Sequence, residues 1–258
     1  MLSKEKIIDE LKKIGVDPPK ILFYESTDST NTRAKEYAKE NPENDSPVIF
    51  IADGQTAGRG RRGRSFVSKS GAGIYISILT YPNVQAVDAT AVTARAAVSL
   101  AHAIESLCKC DIKLKWVNDL YLGGKKIAGI LTEGELDKNG KIAYQVVGMG
   151  INVYKNAISD EISDIATSLE HECDGTLDRA RLIAKIIKSY LVDEGDFYSE
   201  YKARSFIIGK KVKVMKLTEQ YDATVIDINP DFSLQIDRDG SSESLFTGEI
   251  SLKLNVEQ

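Results

Sequence analysis

The sequence predicts an α+β protein: a large domain in which a sheet is backed by helices, then a small antiparallel barrel. Three observations carry that prediction. Ile112 to Val153 (IKLKWVNDLYLGGKKIAGILTEGELDKNGKIAYQVVGMGINV) reads as consecutive strands broken at Gly123-Gly124 and Asn139-Gly140. Ala86 to Leu107 and Leu177 to Tyr201 carry apolar residues at helical spacing. From Lys210 onward the pattern changes to short alternating runs separated by Asn229-Pro230-Asp231 and Arg238-Asp239-Gly240, as in a barrel.

In chain order, residues 3 to 14 (SKEKIIDELKKI) have the period of one amphipathic helix, ended by Gly15, Pro18 and Pro19. A helix-turn-helix needs a second helix and a turn before the core begins, and ILFYEST already reads as the first strand. In DSTNTRAKEYAKEN, Asp28, Ser29, Thr30 and Asn31 crowd a helix start whose Ala34, Tyr37 and Ala38 mark the buried face. Capping accounts for one of those polar residues; the surplus also suits a site for a polar, uncharged ligand group. Pro47 to Asp53 and Gly73 to Thr80 follow as strands. The helix at 86–107 presents Val92, Ala96, Leu100, Ala103 and Leu107 on one face, with His102 as a packed or surface residue. Leu177 to Tyr201 reads as a single helix opened by Thr176 or Asp178. The domains are placed at 1–205 and 206–258.

Composition bounds the chemistry. The chain of 258 residues is 42% hydrophobic and 28% charged with a net charge of -4, an ordinary soluble balance without the broad basic footprint of a nucleic-acid binder. No apolar run approaches the length of a membrane span, and MLSKEKIIDEL lacks the apolar core of a signal peptide. Cys108, Cys110 and Cys173 show no framework spacing, and His102 and His171 do not recur at ligand spacing with them, so a cytoplasmic setting without a cysteine metal site is expected.

Against that acidic background stands a concentrated basic loop. Gly54, Gly58, Gly60 and Gly63 let the backbone approach a ligand, and Arg59, Arg61, Arg62 and Arg64 supply forked, always ionised donors. Gly58, Gly60 and Gly63 match G-x-G-x-x-G formally, but a strand rather than a helix follows, which removes the dinucleotide reading. The kinase reading lacks H-R-D and D-F-G. An anion site and a solvated loop both remain open on these residues alone. Asn118 and Asp119 either face a cleft or cap a turn, Trp116 is a core residue whose ring can also floor a cleft, and Lys125 and Lys126 sit at a loop edge.

Seven stretches in order then agree: DSTN at 28–31, GQTAGRGRRGR at 54–64, GAGIYIS at 71–77, KWVND at 115–119, KKIAGILTE at 125–133, GMGINV at 148–153 and GEISL at 248–252. Over nearly its whole length the chain resembles biotin protein ligases, which adenylate biotin and transfer it to a lysine of a biotin carboxyl carrier protein. The resemblance implies a mixed β-sheet with helices akin to class II aminoacyl-tRNA synthetases, followed by an SH3-like β-barrel. It implies a short form without the N-terminal DNA-binding domain of some members. Ser29, Thr30, Asn31 and Gln55 are expected to hold the biotin rings, and Arg59, Gly60, Arg61 and Lys126 its carboxylate and the phosphate, with Lys126, Arg61 and Arg59 catalytic. Arg61, Arg64, Trp116, Asn118 and Asn152 are expected at the nucleotide, and Asp119 as a ligand of the Mg2+ that accompanies ATP. No tightly bound organic cofactor is implied. The implied partners are biotin, ATP and the carrier protein, without DNA or membrane, and a homodimer is compatible with the reading.

Two positions depart from the family pattern. Val117 stands where K-W-P-N-D has proline, which frees φ but is expected to leave Asn118 at an extended strand end, and Phe66 stands where some relatives have tryptophan. Three other functions compete: a lipoate or octanoate ligase, a non-catalytic biotin- and nucleotide-binding regulator, and an RNA-binding module using the arginine loop.

Overall fold

The alternating apolar runs assemble into two sheets. In the computed structural model the described residues are 1–82, 89–216, 219–246 and 251–254. The larger sheet contains β1 (Lys20–Thr27), β2 (Val48–Gln55), β3 (Gly73–Thr80), β4 (Lys113–Lys115), β5 (Asp119–Leu122), β6 (Lys125–Leu136) and β7 (Ile142–Asn152). Its order is β1-β2-β3-β7-β6-β5-β4, parallel between β1 and β2 and antiparallel elsewhere, so the sheet is mixed as expected.

Helices cover both faces because the central strands are apolar on both sides. On β2, Ile49 and Ile51 enter the main core, while Val48 and Phe50 join a second cluster with Ala34 and Ala38 of α2 (Thr30–Glu40). The main core is closed by α1 (Lys4–Lys13), α3 (Ala89–Glu105), α5 (Arg179–Leu191) and α6 (Phe197–Arg204); a short α4 (Leu169–Glu172) precedes α5. Ser3 caps α1, its hydroxyl accepting from Lys6 N at 3.4 Å. In α3, Ala94, Ala97 and Ala101 are buried, and their small side chains let the helix lie close to its neighbours. The first residues of the helix expected at 86–107 lie outside the described set.

The structure corrects the helix expected from Leu177 to Tyr201. Asp178 caps α5, accepting from Arg181 N at 2.9 Å, but the chain breaks after Leu191, and Asp196 caps α6 by accepting from Ser199 N at 3.0 Å. The segment from Val192 to Asp196 carries the reason: Gly195 is a poor helix residue, and Asp196 directly after it caps a second start.

Beyond α6 a second, antiparallel sheet has the order β11-β10-β9-β8-β12, from β8 (Lys211–Met215), β9 (Gln220–Ile228), β10 (Leu234–Arg238), β11 (Ser241–Leu245) and β12 (Ser251–Leu254). Asp239 and Gly240, both at positive φ, make the tight β10–β11 turn. No pairing joins β11 to β12 among the described residues. The GEISL stretch is described only from Ser251 onward.

One ion pair ties α5, β2 and β3 together. Arg179, 9% exposed, lies 2.9 Å from Asp53 Oδ1 and donates to the Gly73 carbonyl at 3.0 Å. Burial pushes the Asp53 carboxyl up, but hydrogen bonds from Ser70 and Arg179 and the Arg179 charge outweigh it, and the net direction is down. A lowered folded-state value stabilises above the unfolded carboxylate value of about 3.9 and loses that contribution as pH falls through the folded value. Asp53→Asn is therefore expected to cost about 3 kcal/mol at neutral pH and to flatten the decline of Tm between about pH 5 and 3. Calorimetric scans across that range test this; an unchanged acid slope contradicts it.

Candidate active site

A cavity opens on the face of the sheet that carries α2. Leu131, Gly148 and Ser77 lie side by side across β6, β7 and β3, and Gly148, Gly150, Met149, Ile130 and Leu131 line the cavity floor. The glycines make room. A Cβ on Gly148 would run into the Asn31 amide, whose Cγ is 2.8 Å away, and one on Gly150 would lie 2.7 Å from the Phe66 ring. Gly148→Ala is accordingly expected to cost about 1–3 kcal/mol by overpacking against a side chain that cannot yield. Urea denaturation of the two proteins measures it, and equal midpoints would rule it out.

The inner end of the cavity is polar, and Thr30, Asn31, Gln55 and Ser77 are hydrogen-bonded to one another and to their neighbours. Ser29 is the extended N-cap of α2 but makes no side-chain cap bond, so simple capping does not explain it. Gln55 Oε1 accepts from Thr30 N at 2.8 Å, and Gln55 Nε2 donates to Ser68 Oγ at 2.8 Å. Ser77 Oγ lies 2.7 Å from Thr30 Oγ1 and 2.6 Å from Asn31 Oδ1. Asn31 Nδ2 donates to Glu133 Oε2 at 2.8 Å and to the Leu131 carbonyl at 3.2 Å. Burial raises the Glu133 carboxyl, yet hydrogen bonds from Lys35 and Asn31 and the charges of Lys35 and Arg59 hold it below its usual range.

Cations concentrate at the outer end. Arg59, Arg61, Arg62, Arg64, Lys115 and Lys126 line the cavity, against Asp119 as the one carboxylate among the described lining residues. The arginine loop is a narrow turn closed by Gly60 N to the Arg64 carbonyl at 2.7 Å and Phe66 N to the Gly58 carbonyl at 2.9 Å. Gly58 is required there because a Cβ would strike the Phe66 carbonyl and, at 2.5 Å, Ser68 Oγ. Arg62 adopts φ +57 and reaches the Met215 carbonyl of β8 at 2.7 Å. Arg59 turns toward α2, donating to Thr32 Oγ1 at 3.1 Å and approaching Glu133 at 3.4 Å. Arg61 Nη1 donates to Asn118 Oδ1 at 3.2 Å, and burial draws its guanidinium down while Asp119 opposes this.

The opposite wall comes from β4, β5 and β6. Trp116 to Asn118 form the turn between β4 and β5, so Asn118 is not at an extended strand end as expected; the Trp116–Val117 peptide bond is cis. Asn118 is locked by Ile130 N to its carbonyl at 2.9 Å and by its Nδ2 to the Ile130 carbonyl at 3.0 Å. Trp116 is buried and lines the cavity, with Nε1 donating to the Phe232 carbonyl at 2.9 Å, so it serves core and cleft together. Lys126 Nζ lies 2.6 Å from Asp119 Oδ1, and its backbone is clamped by Ile165 and Thr167. Burial lowers the Lys115 ammonium, as do neighbouring Lys126 and Arg64, against the pull of Asp119.

Ser29, Thr30, Asn31, Gln55, Arg59, Gly60, Arg61, Arg64, Trp116, Asn118, Asp119 and Lys126 thus meet in one cavity. Asn152 does not line it; it is buried with Nδ2 on the Thr167 carbonyl at 3.2 Å, supporting the segment that clamps Lys126. Ser77, Glu133 and Lys115 escaped notice as site residues. Ser77 carries a usable signal, a small polar residue between isoleucines in the strand interior, Ile76-Ser77-Ile78.

Comparison with known proteins adds the family. Residues 23–152, half of the chain, match the model of the biotin/lipoate A/B protein ligase family. The chain belongs to that family. Among curated relatives of this biotin/lipoate ligase chain, the biotin–[acetyl-CoA-carboxylase] ligase of Mycobacterium tuberculosis is 28% identical over 96% of this chain and 95% of its own. The bifunctional ligase/repressor BirA of Bacillus subtilis is 28% identical over 90% of this chain and 74% of its own. The solved biotin protein ligase from Aquifex aeolicus in complex with biotin and ATP aligns with a TM-score of 0.75 at 28% identity, covering 92% of this chain and 99% of that one. Among the described residues no helix is long and apolar enough to cross a membrane.

Proposed function

We propose that this ligase joins biotin to ATP as biotinyl-5′-AMP and transfers the biotinyl group to a lysine ε-amine of a biotin carboxyl carrier protein. The observation that carries the reading is the cavity's division into a polar, uncharged inner end and a cationic outer end. A bicyclic urea with a carboxylate tail matches that order of chemistry. In this reading Ser29, Thr30, Asn31 and Gln55 surround the ring system, and Gly60, Arg61 and Lys126 meet the carboxylate and α-phosphate. Arg64, Trp116 and Asn118 border the nucleotide, while Asn152 acts at a distance through Thr167.

The first step brings two anions together. Two like charges about 4 Å apart repel by about 4 kcal/mol at an effective dielectric near 20. Fixed cations offset that, and their placement matters most where charge develops on the phosphate in the transition state. The carboxylate attacks the α-phosphate and pyrophosphate leaves; the acceptor amine then attacks the mixed anhydride and AMP leaves.

Among the described residues the protein offers magnesium no ready-made cluster of ligands. No group of three or more acidic, histidine or cysteine side chains is arranged for a metal among the described residues, and Asp119 is already held by Lys126 at 2.6 Å. In this reading Mg2+ enters on the triphosphate, which is its usual carrier, and Asp119 serves Lys126 instead.

The proposed organisation places the catalytic domain at 1–205 and an SH3-like barrel at 206–258. Support comes from the change of sheet after α6 and the hairpin order of β8 to β11. The reading sets the enzyme in the cytoplasm, without DNA or membrane as partner, and is compatible with a homodimer. Mixing the protein with ATP, magnesium and biotin should release pyrophosphate, then label a carrier domain. Release with lipoate or octanoate but not biotin would transfer the assignment to the lipoate branch of the family, and binding without release would make the chain a regulator.

A further inference from the structure

Hydrogen positions at the inner end of the cavity follow from counting donors. Asn31 faces two groups that only accept, the Leu131 carbonyl at 3.2 Å and the Glu133 carboxylate at 2.8 Å, so its NH2 must point at them. Its Oδ1 therefore faces Ser77 and can only accept, which commits the single Ser77 proton to the 2.6 Å contact. The 2.7 Å contact between Ser77 and Thr30 then needs the Thr30 proton. Gln55 is fixed as well. Ser68 gives its proton to the Phe66 carbonyl at 3.0 Å, so Gln55 presents NH2 to Ser68 and Oε1 to Thr30 N. Thr30 Oγ1 and Gln55 Oε1, 3.2 Å apart, are thus two acceptors without a proton between them.

We propose that Glu133, acting through Asn31 and Ser77, is a positioning residue that fixes Thr30 Oγ1 as an acceptor, so that the inner end of the cavity selects a ligand head carrying N–H donors. This deepens the biotin reading and rests on it. A ureido N–H between the two acceptors uses the lone pair that each still offers, beyond the bond of Gln55 Oε1 from Thr30 N and that of Thr30 Oγ1 to Ser77, whereas a dithiolane or an alkyl chain leaves those lone pairs buried without a donor. Glu133 is suited to the task because it is an anion and cannot donate, being held ionised by Lys35 at 2.6 Å and Arg59 at 3.4 Å. It also joins the inner end of the cavity to the arginine loop through one carboxylate.

The test is calorimetric titration of the full chain with biotin and with its two cyclic carbamate analogues, in each of which one ureido N–H is replaced by oxygen. In the wild type, the analogue lacking the N–H at Thr30 is expected to bind about 10- to 100-fold more weakly than biotin. In Ser77→Ala the Thr30 proton is released and can turn toward the ring oxygen, so the ratio should contract to about threefold or less. In Glu133→Gln one amide N–H must face either Lys35 or Asn31, the relay loses its fixed direction, and the ratio should contract in the same sense. Melting temperatures separate this from unfolding, and Ser77→Ala removes a single oxygen if the Glu133 variant folds poorly. Wild-type ratios in a folded Ser77→Ala protein would overturn the proposal while leaving pyrophosphate release with biotin intact. A wild type that neither binds biotin nor releases pyrophosphate would instead overturn the biotin reading.

Discussion

Lys126→Gln is expected to slow adenylate formation about a hundred- to thousandfold while changing biotin affinity far less. The side chain is placed by three constraints: its ion pair with Asp119 at 2.6 Å, the Lys126 N–H on the Ile165 carbonyl at 3.0 Å, and its own carbonyl accepting from Thr167 N at 2.9 Å. Gly129 adds a fourth, since a Cβ there would sit 3.1 Å from Lys126 Nζ. A cation so confined acts most on the charge that builds up as the phosphate is attacked, so its removal falls mainly on the rate and less on ground-state binding. Glutamine keeps length and a donor but not charge. Single-turnover pyrophosphate release measures the effect, and a rate within threefold of wild type would remove Lys126 from the reacting centre.

Arg61→Gly is expected to release the adenylate about 10- to 100-fold faster and to biotinylate bystander lysines, because a charge-assisted contact is worth about 1.5–3 kcal/mol. Arg61 belongs to the glycine-rich turn yet bonds Asn118 on the opposite wall at 3.2 Å, so it bridges the two sides of the cavity. A reactive acyl phosphate kept behind such a bridge is shielded from water and stray amines. Chase of labelled adenylate from the variant gives the rate directly. Retention equal to wild type would assign the loop some other task.

Much of this site could be read from the letters because its chemistry sits in local motifs. Gly58 to Arg64 offer an anion site or a solvated loop by residue type and only the accompanying motifs favour the first, while Ser29, Thr30 and Asn31 are more polar groups than one cap uses. What stayed hidden depends on partners distant in the chain. Glu133 gains its meaning from Asn31 and Lys35, about a hundred residues earlier, and no spacing rule relates them. The three cysteines looked unrelated, yet Cys173 contacts both Cys108 and Cys110, and burial first of all pushes their thiols up to about 11 or 12. The split of the 177–201 helix was obscured because Phe197 and Tyr201 keep roughly the period set by Leu182 and Ile186 across the break. β11 went unnoticed since Ser241, Ser242, Glu243 and Ser244 have no apolar alternation, and its pairing comes from the Asp239-Gly240 turn.

The second sheet touches the cavity walls through main-chain oxygens: Met215 receives Arg62, and Phe232 receives Trp116. Such acceptors exist whatever side chain is attached, so these two contacts depend on the path of the backbone and not on the residue type. Point changes at 215 that respect the strand ought to pass unnoticed. A single inserted residue in β8 would carry the oxygen out of register and leave the arginine turn without its anchor.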